Sequence, residues 1–274
     1  MVGFDRTNEL RRRLGLFISA GTGSLSSDLQ DRALSNEFML GHYFRKDGDV
    51  GYVLAQVGVG AHNYDTKRRI VFGHVDPHDF LRPGDYGYNP DHVSDTRYID
   101  RTARNTHNAF LATGHFEMGL KYRGGVLNLS PFVAVQYTGL LREGFTERGA
   151  GSLNLTTSRD DCHSIRSVFG MRFDAHPFRV RNGLASFYGN VAWMYEFEEP
   201  KRHTAFSARF TEAGVLDGST FTVHGNDPGR DWVQAGFGLN YDFNIRLRGF
   251  AGYDAIVNSR QVLHSANLGI VYQH

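Results

Sequence analysis

The stretch that decides the fold runs from 233 to 243 and reads Val233-Gln234-Ala235-Gly236-Phe237-Gly238-Leu239-Asn240-Tyr241-Asp242-Phe243. Every odd position carries an apolar or aromatic side chain, whereas the even positions carry Gln, Gly, Asn and Asp. Successive side chains of a β-strand point to opposite faces of the sheet. This alternation therefore predicts a strand with one apolar face and one polar face.

The same alternation recurs along the chain and predicts about ten strands. Most of these runs have roughly 9 to 13 residues, which is close to the length that crosses a bilayer at a tilt. They lie near 12–21, 37–45, 50–62, 108–122, 126–141, 165–173, 185–197, 233–243, 245–257 and 262–272.

The composition agrees with an all-β protein and excludes several other classes. The chain has 274 residues with 32 Gly, 21 Phe and 13 Tyr but only 7 Pro, and aromatic residues suit the surface of a sheet. The net charge of +1 predicts no nucleic-acid partner. The single cysteine, Cys162, excludes an internal disulfide and a cysteine-rich zinc site. No apolar run reaches the roughly 18 residues of a membrane helix.

The connections between strands distinguish a membrane barrel from a soluble β-sandwich, because alternation alone fits both. Short turns are predicted near 47–49, 123–125, 177–183 and 244, and long polar connections near 22–36, 63–107, 142–163 and 198–231. Short and long connections take turns along the chain, as in outer-membrane barrels, which have short periplasmic turns and long extracellular loops. We therefore predict a single antiparallel, up-and-down transmembrane β-barrel domain.

Three segments resemble a known family when they are taken in order. They read Pro131-Phe132-Val133-Ala134, then Glu143-Gly144-Phe145-Thr146-Glu147-Arg148-Gly149-Ala150, then Ser164-Ile165-Arg166-Ser167-Val168-Phe169-Gly170-Met171-Arg172. These segments resemble the C-terminal β-domain of autotransporters, the proteins of type V secretion. The resemblance implies a translocator barrel in the bacterial outer membrane that anchors an N-terminal passenger domain and helps to export it. It also implies three partners, namely outer-membrane lipid, the covalently linked passenger and the barrel-assembly machinery.

The resemblance further concerns the two ends of the chain. Family barrels have twelve strands and a helix threaded through the lumen, and Gly3-Phe4-Asp5-Arg6 is similar to the end of their second strand. We therefore expect residues 1–274 to hold about ten of twelve strands, without the first strands, the plug helix, the passenger and the signal peptide. The chain ends Tyr272-Gln273-His274 where family members end in Phe or Trp, which predicts a weak terminal signal for the assembly machinery.

Charged residues on the polar faces are the candidate lumen-facing positions. Glu117 shares the polar face of its strand with His115 and Lys121. Charged groups that line a barrel are expected to form mutual networks, so basic residues should compensate the acidic ones. The resemblance leaves open a part for Glu117 in self-cleavage of a passenger linker. The candidates are Glu117, Lys121, Arg166, Arg172, Glu196, Arg246, Arg248 and Asp254.

The sequence predicts no catalytic site, no metal site and no cofactor. Serine-hydrolase, zinc-protease and phosphate-loop motifs are absent, and Gly21-Thr22-Gly23-Ser24 is interpreted as the start of a loop. His74, Asp76, His78 and Asp79 carry metal-ligating groups, but an ordinary solvated loop fits them better. Two alternative functions remain open: a porin-like or adhesin-like barrel, and an outer-membrane hydrolase of the phospholipase type.

Overall fold

The computed structural model describes residues 2–7, 11–26, 31–74, 81–92, 97–198, 205–211, 220–224 and 227–272. Strands dominate these residues, and one turn of 3-10 helix lies at Gly151–Leu153. No helix in this part of the chain is long and apolar enough to cross a membrane. The strands are β1 (Val2–Thr7), β2 (Arg12–Ser26), β3 (Arg32–Asp47), β4 (Gly51–His74), β5 (Arg97–Leu120), β6 (Tyr122–Arg123), β7 (Leu127–Arg142), β8 (Leu155–Thr157), β9 (Asp160–Ala175), β10 (Phe178–Val180), β11 (Gly183–Glu196), β12 (Ala205–Phe210), β13 (Thr220–His224), β14 (Asp231–Asp242), β15 (Leu247–Val257) and β16 (Val262–Tyr272).

Eleven of these strands form one antiparallel sheet in the order β1-β2-β3-β4-β5-β7-β9-β11-β14-β15-β16, with β6 and β10 paired at its side. Each main strand pairs with the next one along the chain, which is the up-and-down order predicted for a barrel wall. All ten predicted strands are confirmed, and β1 adds an eleventh. Within the described residues β1 and β16 are the two edges of the sheet and do not pair with each other.

The two faces of the sheet differ in chemistry as the alternation predicts. The outward face carries large apolar side chains in the open, such as Val57 at 61% exposure and Phe237 at 67%. On β4 this apolar row runs from Val53 to Ala61, opposite Met118 to Phe110 on β5. We call this outward apolar band the belt, and it is where a barrel contacts lipid.

The inward face buries a small core together with polar groups. Its core residues come from β9 and from strands on both sides of it, and they are Tyr52, Phe132, Ala134, Val168, Ala192, Met194 and Trp232. Arg172 of β9 reaches the hydroxyl of Tyr52 on β4, although β5 and β7 lie between these two strands. The sheet is therefore curved, with the polar face on its concave side.

The largest departure from the predicted elements lies in the hairpin of β4 and β5, which has 24 residues in each strand. The sequence predicted strands only at 50–62 and 108–122, with a polar loop between them. Residues 63–74 and 97–107 instead continue the same antiparallel register. Their side chains are mostly polar on both faces, so they show no regular alternation, although their backbones are fully paired. The supposed loop start at Gly21 to Ser24 is likewise part of β2.

The upper part of this hairpin, residues 62–74 and 97–109, packs against the connection after β7. The guanidinium of Arg68 donates to both oxygens of Glu147, and Arg101 donates to the carbonyl of Ala150 at 2.9 Å. The ring of His107 stacks between Tyr64 and Phe145, with centroid distances of 5.2 and 4.6 Å. A second, three-stranded sheet, β13-β12-β8, joins this connection to the one that follows β11. The predicted loops 142–163 and 198–231 thus contain ordered structure.

Candidate functional site

The most deeply buried polar group on the inward face is the carboxylate of Glu117, whose side chain is 0% exposed. The Tyr52 hydroxyl donates to Oε1 at 2.8 Å, and the Arg172 guanidinium donates to both carboxylate oxygens, at 2.7 Å for the Nη2–Oε2 bond. His115 Nε2 lies 3.3 Å from Oε2. We call these four residues the Glu117 cluster.

Two glycines explain how the aromatic rings of this region lie flat against the sheet. Tyr52 is paired directly with Gly119, and a Cβ added to that glycine would come within 2.5 Å of the tyrosine ring. Phe132 is paired in the same way with Gly170, where an added Cβ would also meet the ring at 2.5 Å. Glycine leaves the space that a flat cross-strand ring needs. The Arg172 guanidinium can therefore stack 4.1 Å above the Phe132 ring while it binds Glu117.

A second buried carboxylate, Glu196, closes the end of β11 near the long connections and is 3% exposed. Its Oε2 accepts from Ser164 Oγ at 2.5 Å and from Arg166 Nε at 2.8 Å. Its Oε1 accepts from the backbone N–H of Ile165 at 3.0 Å. The Arg166 guanidinium lies 5.6 Å from the centre of the Trp232 ring, so it is held by both a charge and a ring.

Basic residues gather at the opposite end of the sheet, where the short turns lie. Lys121 Nζ lies 2.5 Å from Asp47 Oδ1, and the same carboxylate accepts two bonds from Arg45. Arg45 in turn stacks 4.7 Å from the centre of the Tyr52 ring. A chain of charge and ring contacts therefore joins the turn end of the wall to the Glu117 cluster.

Of the last three sequence candidates, Arg248 and Asp254 lie on β15, and Arg246 lies in the turn before it. Arg248 pairs with Asp242 on the neighbouring strand, and Asp254 Oδ1 accepts from Asn190 at 3.4 Å. Arg246 was predicted on the inward face of a strand, and this is wrong, because it lies exposed in the turn 243–246. The side chain of Asn244 accepts the N–H groups of Arg246 and Leu247, and such a local turn keeps Arg246 out of the ladder.

Sequence reasoning missed Tyr52, Asp47 and Asn190 as partners of the predicted residues. The available signal was Tyr52, an aromatic residue on the inward row of β4, where Gln56 and Gly58 are polar or small and Leu54 is apolar. The inferred pairing of acids with arginines takes the specific form of Arg172 with Glu117 and Arg166 with Glu196.

The described residues contain no cluster of metal-ligating side chains. The His/Asp cluster at 74–79 lies outside the residues whose side chains the structure describes. Cys162 is a half-buried thiol on the inward side of β9 and forms no disulfide. The inward face thus offers paired charges and flat aromatic rings, an arrangement that presents a polar wall to whatever occupies the concave side.

Comparison with known proteins identifies the family. The model of the autotransporter beta-domain matches residues 1–254. The chain belongs to the autotransporter beta-domain family. The resemblance inferred from the ordered motifs is confirmed, and the domain is an outer-membrane translocator barrel domain of type V secretion. Members of this family are transport domains and imply a linked passenger domain.

Solved structures agree on the fold of this autotransporter domain. The translocator domain of the autotransporter NalP from Neisseria meningitidis superposes with a TM-score of 0.70 at 15% identity, over 98% of this chain and 78% of that one. The beta domain of the Bordetella autotransporter BrkA gives 0.61 at 15% identity, over 99% of this chain and 88% of that one. A search of curated proteins returned no match.

Proposed function

We propose that residues 1–274 act as one domain that sits in the bacterial outer membrane, with the belt in lipid and the long connections outside the cell. A passenger linked on the N-terminal side is tethered there, and the paired inward charges line the path that it follows. The observation that carries this proposal is the two-faced wall: large apolar side chains are exposed on one face, and the buried carboxylates of Glu117 and Glu196 lie on the other.

The physical basis is the cost of unpaired polar groups in lipid, where each unsatisfied backbone group costs several kcal/mol. The sheet satisfies these groups by pairing neighbouring strands. The inner side has no such unsatisfied groups at Glu117 and Glu196, because each of these buried carboxylates accepts hydrogen bonds from several donors. Glu117 therefore serves as a structural anchor of the wall, and the domain acts without a cofactor or a catalytic residue.

The test uses the full natural gene in a Gram-negative host. We expect the protein in the outer-membrane fraction, with a heat-modifiable barrel and an N-terminal segment that external protease removes from intact cells. Depletion of the barrel-assembly machinery should reduce its amount, and a covalent serine-hydrolase probe should not label it. Recovery in the soluble or inner-membrane fraction, or an N-terminal segment protected from protease, would contradict the proposal.

A further inference from the structure

Four basic residues form a row across the outer surface of the upper hairpin. Arg32 of β3 is paired with Lys67 of β4, Lys67 with Arg104 of β5, and Arg104 with Arg148 in the connection after β7. Paired residues of an antiparallel ladder point to the same face. With neighbouring strands about 4.8 Å apart, the row is about 14 Å long. We call it the basic row.

The basic row is on the outward face, directly above the belt. Lys67 follows the belt residue Ala61 by six positions on β4, and Arg104 precedes Phe110 by six on β5. An even spacing keeps the side chains of a strand on one face. The row therefore points away from the concave side, towards whatever surrounds the barrel.

Within the residues that the structure describes, no acid compensates the charges of the basic row. None of the four side chains forms an ion pair with an acid in the described residues, whereas the neighbouring Arg68 and Arg69 are paired with Glu147 and Asp100. Asp65, two residues closer to the belt than Lys67, is exposed and makes no ion pair with the row. Like charges directly opposite each other destabilise a sheet. Four of them in line indicate a surface that binds an anion.

The height of the basic row above the belt discriminates between anions. Six residues at ~3.3 Å each span about 20 Å along the strand, and a strand tilt of about 35–45° converts this to about 14–16 Å above the apolar band. The headgroup layer of an ordinary phospholipid bilayer adds only about 6 Å on each side. The phosphates of a phospholipid therefore lie below the row, whereas a tall sugar headgroup that carries anionic groups reaches it.

From this geometry we propose that the basic row binds the phosphate and carboxylate groups on the sugar headgroup of lipopolysaccharide in the outer leaflet. Arginine suits this ligand because its planar guanidinium binds phosphate with two parallel hydrogen bonds. Bound headgroups neutralise the row and hold the hairpin of β4 and β5 upright at the membrane surface. The inference rests on the outer-membrane placement proposed above.

The test measures binding of purified lipopolysaccharide to the full natural protein in detergent, next to the triple variant Arg32→Gln, Lys67→Gln, Arg104→Gln. A charge-matched control, Arg123→Gln, Arg179→Gln, Arg181→Gln, removes three exposed cations near the short turns. We expect the first variant to bind on the order of a hundredfold more weakly, and the control to bind like the unaltered protein. Heat-modifiability shows that each variant is folded, and Arg32→Lys with Arg104→Lys should restore most of the binding.

Competition with other ligands shows whether the bound anion belongs to lipopolysaccharide, to a phospholipid or to free phosphate. Dephosphorylated lipopolysaccharide should bind more weakly than the intact form, and phosphatidylglycerol vesicles or inorganic phosphate should not compete. Equal binding by both triple variants, or effective competition by phosphatidylglycerol or free phosphate, would overturn the inference. Because this assay needs no cell fractionation, it can fail while the outer-membrane placement stands, and the reverse also holds.

Discussion

The hairpin of β4 and β5 contains two regions with the same backbone pairing and opposite side-chain chemistry. In the lower region, 51–61 and 110–120, one face is apolar and the other is mostly polar or small. In the upper region, 62–74 and 97–109, both faces are largely polar, and contacts with residues 143–157 hold the strands. The difference shows that alternation reports two different solvents on the two faces of a strand, and not the strand itself.

The largest expected effect is the loss of stability when the buried carboxylate on the inward face of the lower region is removed. Glu117→Ala leaves the Arg172 guanidinium without its carboxylate, and removal of one partner of a buried ion pair costs about 3–5 kcal/mol. The matched variant in the upper region is Asp100→Ala, which breaks the exposed pair with Arg69 and should cause no resolvable loss. Urea unfolding in detergent micelles, followed by tryptophan fluorescence, measures both. Equal midpoints for the two variants would show that the Glu117 cluster is not an anchor.

The second largest effect comes from a charge placed on the outward face, which should destabilise the lower region much more than the upper region. Val57 lies near the middle of the belt and Val71 lies above it, and both are outward and exposed. Val57→Arg should cost about 2–4 kcal/mol in lipid, as arginine does near the midplane of a bilayer, whereas Val71→Arg should stay within about 0.5 kcal/mol. Unfolding of the protein in lipid vesicles compares them. A harmless Val57→Arg would mean that the belt does not face lipid.

Loss of the contacts between the upper region and the connection after β7 should destabilise the upper region and leave the lower region unchanged. Glu147 is 6% exposed and accepts from Arg68 and from the N–H of Leu155 at 2.8 Å. Glu147→Ala leaves these partly buried donors without their acceptor, at a cost of about 1–3 kcal/mol. Amide exchange should quicken across 143–157 while 110–120 stays protected. The exposed Glu143 provides the control, and a Glu143→Ala variant with the same exchange pattern would refute the specific role of Glu147.

The smallest expected effect is a pH dependence confined to the upper region. Burial lowers the pKa of His107, and the nearby Arg142 guanidinium lowers it further. The opened state therefore binds a proton more readily than the packed state, so stability is lost as the pH falls below the ordinary histidine value of about 6.5. Amide exchange of 143–157 should be faster at pH 5 than at pH 7.5, and His107→Phe should remove this difference. Persistence of the difference in that variant would assign it to another group.

Most of the wall could be predicted from the sequence, because alternation marks a strand whose two faces meet different environments. The alternation found ten strands of the observed wall, including 50–62 and 108–122, in which one face is apolar. It could not find 63–74 and 97–107, because water or other protein side chains lie on both faces there. Turn chemistry also mattered, since the Asn244 side chain holds Arg246 in a turn.

The candidate site was predictable in part, for a different reason. The alternation of each strand shows which face Glu117 and Arg172 occupy, but their contact depends on the register of β7 with the two strands beside it. That register is not contained in the period of one strand. Tyr52 was missed because the sequence pattern counts an aromatic residue as apolar, although the hydroxyl of Tyr52 donates a hydrogen bond to Glu117.

The most direct test of the account is a cysteine scan along β5, from Tyr98 to Leu120, in a Cys162→Ser background. The protein is placed in the outer membrane and treated with a water-soluble thiol reagent. We predict that the outward positions from Phe110 to Met118 are protected, and that the outward positions from Tyr98 to Asn108 react. Protection that continues upward to Tyr98, or free reaction at Ala112, Gly114 and Phe116, would contradict the claim that the lower region faces lipid and the upper region stands outside the membrane.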